Sequence, residues 1–144
     1  MVKKSSQKVN TIQWAPRLAT RVNEIDEQHK GLFEKINHLT HAYNKKKNQK
    51  EITDLLNFLE KYAIVHFDTE EQFMRNHNYP ETEKHIALHL EFIRNVLDLK
   101  SHLVNDGVNR ELVKKTNEMV IDWWIDHIIK VDKALGDYLK ALGV

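Results

Sequence analysis

The sequence predicts an all-α fold: an up-down-up-down antiparallel four-helix bundle with an extended N-terminal arm. The 144 residues include only 4 Gly and 2 Pro, too few for an architecture with many turns. Apolar residues recur at steps of three and four along four long segments, which is the period of an α-helix. Short polar stretches separate these segments, and short connections between long helices favour antiparallel packing.

The N-terminal part is predicted to be a tail and an arm. Residues 1–10 are polar, and we expect them to be flexible. Residues 11–20 contain Trp14, Pro16 and Leu18 without a helical period, so we expect an extended segment that packs across the helices. The length suits one well-filled core, and we therefore assign residues 1–144 to a single domain.

Four helices are predicted to follow the arm. The first begins at about residue 20 or 23 and ends at 43, before a lysine-rich loop that we interpret as a solvated turn. The second covers about 49–76, and the third begins at 80 or 81 and ends at 104. The fourth begins at 109 or 110 and ends at 142, and its apolar stripe starts at Leu112.

Composition excludes several classes of partner and site. Lys and Arg number 22 against 21 for Asp and Glu, a net charge of +1 that gives no reason to expect nucleic acid. No segment approaches about 18 consecutive apolar residues, so we expect no membrane span. The first ten residues lack the apolar core of a secretory signal, and we expect a cytoplasmic location. We also expect a monomer. The absence of Cys excludes disulfides and thiolate-bound metals.

His66 and Glu70 are the first sign of a functional site. They lie four residues apart, so on a helix both side chains face the same side. The apolar stripe of the second helix continues into this pair, which places it inward. A buried carboxylate and imidazole need a partner, a hydrogen bond or a metal ion.

All four predicted helices place metal-ligand types on their inward faces. A lone histidine there is more often an ordinary core residue, but convergence from four helices favours a metal site. Nitrogen and oxygen ligands without sulfur suit iron, manganese or zinc. Seven ligands are too many for one tetrahedral zinc, whereas two ions bridged by two carboxylates account for the number. The candidate ligands are His29, His66, Glu70, His85, His89, His127 and Asp132.

Asp132 fits this set only if its helix is irregular. His127 and Asp132 are five residues apart, which separates them by ~140° on a regular α-helix. An extra residue, as in a π-type turn, would bring both to one face. We therefore predict an i→i+5 turn near residues 128–131. The remaining histidines are predicted to lie at the surface; they are His38, His41, His77 and His102.

At these residues the sequence resembles the hemerythrin family, in particular its single-domain bacterial members. The resemblance covers Trp14 to about Leu139. It includes the motifs Ile25-Asp-Glu-Gln-His29, His66-Phe-Asp-Thr-Glu-Glu-Gln-Phe-Met74, Tyr79-Pro80, His85-x-x-x-His89 and Trp123-x-x-x-His127-Ile-x-x-x-Asp132.

The resemblance implies a di-iron centre with an oxo or hydroxo bridge. One iron would be held by three histidines, the other by His29 and His66, and the second would keep an open position for dioxygen. The two carboxylates would bridge the ions. The three histidines on the first iron would be His85, His89 and His127.

The predicted ligand pocket contains Trp124, Ile25 and Trp123. Trp124 departs from the family pattern, which commonly has Leu lining the pocket at this position. The indole would either narrow the pocket, with consequences for ligand entry and oxidation, or turn outward with little effect.

The resemblance implies reversible dioxygen binding, as a carrier, store or delivery protein. A sensing module for dioxygen, redox state or nitric oxide is the alternative, as is a di-iron oxidase or peroxidase, and peroxide stays open as the ligand. We expect a binding protein and not an enzyme, because the chain has no Glu-x-x-His pair of the ferritin-like type. A metal-free bundle is the weakest interpretation, since inward histidines would lack partners.

Overall fold

The computed structural model of the chain describes residues 11–107 and 109–144, apart from the side chains at 110, 112, 113, 115 and 116. The predicted flexibility of residues 1–10 and the predicted inward position of Leu112 fall outside this part. The helices within it are α1 (Asn23–Asn44), α2 (Gln49–Asn76), α3 (Thr82–Asp106), α4 (Arg110–His127), a π-helical segment (Ile128–Asp132) and α5 (Lys133–Ala141).

The predicted all-α four-helix bundle is confirmed. Helix α4, the π-helical segment and α5 follow one another directly and form the fourth helix of the bundle. Helix α1 packs against α2, α2 packs against α3, and α4 packs back against α1. Aromatic side chains link α3 to α4, with the ring centroids of Phe92 and Trp123 4.8 Å apart. None of the described helices is long and apolar enough to cross a bilayer.

The helix boundaries agree with the prediction to within two residues, and of the two predicted starts of the first helix the one at residue 23 is confirmed. The third helix begins at Thr82 because Tyr79 and Thr82 close a turn, in which Thr82 Oγ1 donates to the Tyr79 carbonyl at 2.6 Å. The same helix continues to Asp106, where Gly107 ends it with a positive φ of 74°. Glycine adopts this left-handed region without steric cost.

The arm differs from the prediction of a wholly extended segment. Residues Pro16–Leu18 form one turn of 3-10 helix, which the fixed φ of proline favours at a helix start. The arm is nevertheless attached to α1: Ile12 exchanges two backbone hydrogen bonds with the Asn37 amide, at 2.8 and 2.9 Å. At its end, the buried Asp26 carboxylate accepts hydrogen bonds from the Thr20 backbone N–H and hydroxyl, both at 2.8 Å.

The core consists of two apolar clusters with a polar layer between them. The larger cluster includes Leu32, Leu59 and Trp124. The smaller cluster consists of the buried residues Val22, Ile25, Met74, Leu135 and Leu139. Along each of α1, α2 and the fourth helix, a candidate ligand separates the two clusters in sequence. The candidate site is therefore a polar layer toward one end of the bundle.

Candidate metal centre

All seven predicted ligands lie in this polar layer, and each is at most 3% exposed. The inward position of the five histidines and Glu70 follows from the helical phase, since each continues the apolar stripe of its helix. Asp132 reaches the layer through an irregular turn. Helix α1 supplies one of them, α2 two, α3 two, α4 one, and the π-helical segment the last. In that order they are His29, His66, Glu70, His85, His89, His127 and Asp132.

The ligand atoms form two groups that share both carboxylates. Within each group, one atom from every residue lies within 4.8 Å of the others. One group has three histidines and the other has two. The first group is Glu70, His85, His89, His127 and Asp132. The second group is His29, His66, Glu70 and Asp132.

Glu70 divides its two oxygens between the groups. Oε1 lies 3.1 Å from Nε2 of His89 and 3.4 Å from Nε2 of His85. Oε2 lies 3.4 Å from Nε2 of His66 and 3.8 Å from Nε2 of His29. A carboxylate oriented in this way can offer one oxygen to each of two ions.

Asp132 divides its oxygens in the same way. Oδ1 lies 3.0 Å from Nε2 of both His85 and His127, whereas Oδ2 lies 2.9 Å from Nε2 of His29. Both carboxylates therefore have the arrangement that a bridging ligand needs, and all five imidazoles present Nε2 to them.

The predicted irregular turn is confirmed, and it is what brings Asp132 into the layer. Residues Ile128–Asp132 are π-helical, and the Lys133 N–H donates to the Ile128 carbonyl five residues before it. Ile128 and Asp132 are buried, whereas Ile129 is exposed. The wider turn lets one additional residue bulge toward solvent, so His127 and Asp132 face the same side.

Several polar atoms of the layer have no hydrogen-bond partner among the described residues. They include Nε2 of His66, His85 and His127, together with Oε2 of Glu70 and Oδ1 of Asp132. Leaving one buried polar atom unsatisfied costs about 1–3 kcal/mol. Metal ions that accept these lone pairs would remove the cost, so the residues present fit a pair of cations bound by nitrogen and oxygen.

Without metal, protons balance the buried carboxylates. Burial lowers the pKa of His85, but close contacts with Asp132 and Glu70 outweigh it and raise the pKa to about 10. Burial also opposes the charged form of His66, yet the Glu70 carboxylate raises its pKa. Burial raises the pKa of Glu70 and Asp132, and the surrounding imidazoles reverse this, so both pKa values lie well below their ordinary range.

Two polar residues outside the ligand set orient histidines of the layer. His66 Nδ1–H donates to Gln28 Oε1 at 2.7 Å, and Gln28 Nε2 donates to Thr69 Oγ1 at 3.0 Å. His89 Nδ1–H donates to Glu71 Oε2 at 3.1 Å. Since an amide oxygen and a carboxylate only accept here, the proton lies on Nδ1 and the Nε2 lone pair is left for a metal.

Sequence reasoning missed Gln28 and Glu71. Each stands next to one ligand in the sequence but contacts a different ligand on another helix. Gln28 precedes His29 and forms its hydrogen bond with His66. Glu71 likewise follows Glu70 and bonds to His89. Their position beside the inward stripe was the available signal, and many solvated polar residues share it.

The structure separates the three predicted pocket residues. Trp124 is fully buried, with its ring centroid 5.8 Å from His66 and 6.3 Å from His29, so the alternative of an outward indole is wrong. Trp123 is half-buried and stacks on His127 at 4.4 Å. Ile25 packs in the smaller apolar cluster, on the other side of the polar layer from Trp124.

The remaining histidines lie outside the layer. His38, His41 and His102 are exposed, as predicted. His77 is half-buried instead, because its Nδ1–H donates to the Phe73 carbonyl at 2.8 Å and holds the ring against the end of α2.

Comparison with known proteins gives a consistent result. A family model described as the hemerythrin HHE cation binding domain matches residues 20–139. A bacteriohemerythrin from Methylococcus capsulatus is 35% identical over 88% of this chain and 95% of its own length. A myohemerythrin from Theromyzon tessulatum is 24% identical over 83% of this chain and 87% of its own length. A crystal structure of wild-type hemerythrin has a TM-score of 0.79 and 30% identity, covering 89% of this chain and 97% of that one. The chain therefore belongs to the hemerythrin family.

Proposed function

We propose that this protein binds two iron ions through the seven residues of the polar layer and binds dioxygen reversibly at the ion with two histidines. An oxo or hydroxo group would complete the bridge between the ions. The proposal is one of binding, as a carrier, store or delivery protein, and not of catalysis. Membership of the hemerythrin family supports it.

The observation that carries the proposal is the unequal division of histidines around shared carboxylates. Three imidazoles face one oxygen of each carboxylate, and two imidazoles face the other side. With a common bridge, the ion with three histidines would reach six ligands. The ion with two would have one fewer, which leaves a position for an external ligand.

The chain itself has three tasks at such a centre. The contacts of Gln28 and Glu71 hold two imidazoles with Nε2 directed inward. The enclosed rings of Phe67 and Trp124, stacked at 5.4 Å, exclude water beside the two-histidine side. The low pKa values of the two carboxylates keep them ionised and ready to bridge. A bound iron pair supplies the electrons that dioxygen takes up reversibly.

The test is repeated oxygenation of the reduced, iron-loaded protein, followed by optical spectroscopy. We expect absorption that appears in air and disappears under argon over several cycles. Oxidation that argon does not reverse would contradict the proposal and favour a redox or nitric oxide sensing module. Continuous consumption of dioxygen or peroxide with a reductant would favour an oxidase or peroxidase.

A pair of variants provides the matched control. Replacing His66→Gln removes one of the two imidazoles on the open side, and reversible oxygenation should be lost. Replacing His102→Gln alters an exposed histidine of α3 and should leave the cycles unchanged. The single-domain assignment, the cytoplasmic location and the monomeric state stay predictions.

A further inference from the structure

Trp124 contains a buried hydrogen-bond donor that the described part of the chain does not satisfy. The residue is 0% exposed, and its indole Nε1 has no hydrogen-bond partner. Buried donors without an acceptor are rare, and each one calls for an explanation. An acceptor that the chain does not supply is one such explanation.

The surroundings of the indole narrow the identity of that acceptor. Aromatic rings pack against it, with Phe67 stacked at 5.4 Å and Phe92 in a T-shaped contact at 5.2 Å. Its polar neighbours are the imidazoles of His29, His66 and His127, at centroid distances of 5.8 to 6.3 Å. These imidazoles direct Nε2 toward the carboxylates and not toward the indole. Two of the three belong to the group with the open position.

We propose that Trp124 donates a hydrogen bond from its indole Nε1 to a small ligand bound on the two-histidine side of the centre. This inference rests on the proposed function, because the ligand needs the iron pair. It makes Trp124 a ligand-binding residue and not only a wall of the pocket.

The same geometry defines the class of ligand. We expect a ligand of only a few atoms, because Trp124 is fully enclosed by other side chains. An N–H donor favours a ligand whose terminal atom carries a lone pair. Small anions such as azide gain most, because hydrogen bonds to charged acceptors are stronger than those between neutral groups. Dioxygen gains as charge develops on it during binding.

The test is titration of the oxidised, iron-loaded protein with sodium azide, followed by absorption spectroscopy. Trp124→Phe and Trp124→Leu both remove the donor but leave different volumes. Both variants should bind azide about tenfold more weakly than the unsubstituted protein, which corresponds to about 1.4 kcal/mol. If side-chain volume alone controlled azide affinity, the two variants would differ from each other. Loss of the N–H donor should instead weaken azide binding in both.

Trp14→Phe is the matched control. The buried Nε1 of Trp14 likewise lacks a partner among the described residues, but Trp14 belongs to the arm and packs under the Lys30 ammonium at 4.6 Å. Its replacement should leave azide affinity unchanged. Ultraviolet resonance Raman spectra supply a second measurement: azide should strengthen the hydrogen bond of one indole N–H, and this change should be absent in Trp124→Phe.

Azide binding by either Trp124 variant as tight as in the unsubstituted protein would overturn the inference. The inference would also be overturned if the unsubstituted protein held two irons but did not bind azide, or if azide left its indole Raman spectrum unchanged. Iron is counted first in every sample. Failure to retain iron would instead refute the proposed function, and with it this inference.

Discussion

Asp132 and Glu70 each contact both histidine groups, and this distinguishes them from the five imidazoles. Each carboxylate presents one oxygen to each side, at 2.9 to 3.8 Å from the facing Nε2 atoms. A terminal ligand that is lost should affect one ion, whereas a bridging ligand that is lost should affect both. The two kinds of ligand therefore differ in a measurable way.

Iron content should separate these roles. The unsubstituted protein should hold two irons per chain, one for each ligand group. His66→Ala should reduce this to about one, because the three-histidine group stays complete, and Asp132→Ala should fall well below one. The measurement is elemental analysis after gel filtration, with exposed His102→Ala as the control. Equal losses in His66→Ala and Asp132→Ala would contradict a bridging role.

Gln28 should matter for metal affinity although it touches no metal. Gln28→Leu removes the acceptor for His66 Nδ1–H, frees the ring to rotate, and should weaken iron binding about 10–100-fold. Gln28→Glu keeps an acceptor and should restore most of the affinity. Gln72→Leu is the control, since Gln72 is exposed on α2 and its amide donates to Asp68, away from the polar layer. Competition with a chelator measures the affinities, and equal affinity in Gln28→Leu and Gln72→Leu would refute the effect.

Which residues sequence reasoning could identify depended on the helical period. Six of the seven ligands were predictable because each continues an apolar stripe, so its burial follows from helical phase. Asp132 was predictable only together with the irregular turn that brings it to the face of His127. Gln28 and Glu71 were not, because the partner of each lies on another helix and the register between helices is set by packing. The helical phase of Trp124 did not determine whether its indole faces the core or the solvent. In the structure the indole faces the core, where it packs against Phe67 and Phe92.

At the scale of the element, the π-helical segment decides whether the site is complete. It was predictable because two ligand types five residues apart cannot share a face of a regular helix. The 3-10 turn in the arm was not predicted, since Pro16–Leu18 is too short to show a period.

The arm and the fourth helix are in close contact at Gly136, where a Cβ atom would overlap the Thr20 carbonyl oxygen.

Deleting Ile129 should be tolerated. This exposed residue lies within the π-helical segment, and its removal converts the i→i+5 turn into a regular α-turn with the same residues facing inward. The metal-free protein should keep its helical content, with Tm changed by less than about 5 °C. The control is deletion of Asp122, an exposed residue of regular α4, which rotates the rest of the helix by ~100° and should abolish cooperative unfolding.

Circular dichroism during heating measures both deletion variants. The comparison is informative because each variant loses one exposed residue from the same continuous helix. Similar damage in the two variants would show that the π-helical segment does not simply absorb one additional residue.

At the scale of the whole molecule, the polar layer is a charged plane between two apolar clusters. Burying ionised groups there is costly unless they are paired or bound to metal. In the metal-free protein, protons on His66 and His85, whose pKa values are raised, provide the pairing, and in the loaded protein the ions would replace them. Folding, proton binding and metal binding are thus linked through the same residues.

This linkage predicts that the stability of the metal-free protein and that of the iron-loaded protein depend differently on pH. The carboxylates have lowered pKa values, so their contribution to stability is complete above the ordinary values of 3.8 and 4.5 and is lost at lower pH. The His85 pKa is raised, so its contribution is complete below 6.5 and is lost as pH rises toward about 10. The metal-free protein should be most stable near pH 5–6, with Tm falling by more than about 5 °C toward pH 10.

Iron-loaded protein should not show this alkaline loss, because metal binding requires neutral imidazoles and displaces their protons. The difference in Tm between the two forms should therefore widen as pH rises above 6.5. Scanning calorimetry across the pH range measures it, with His85→Gln expected to flatten the metal-free profile. A difference that narrows with rising pH would show that protons do not occupy the place of the metal.

The most direct test of the central claim is an equilibrium dioxygen titration of the reduced protein, with iron counted in the same sample. An iron pair shared by both carboxylates, open on one side only, predicts uptake of one dioxygen for every two irons and full release under argon. Uptake of one dioxygen per iron, or uptake that argon does not reverse, would contradict the account.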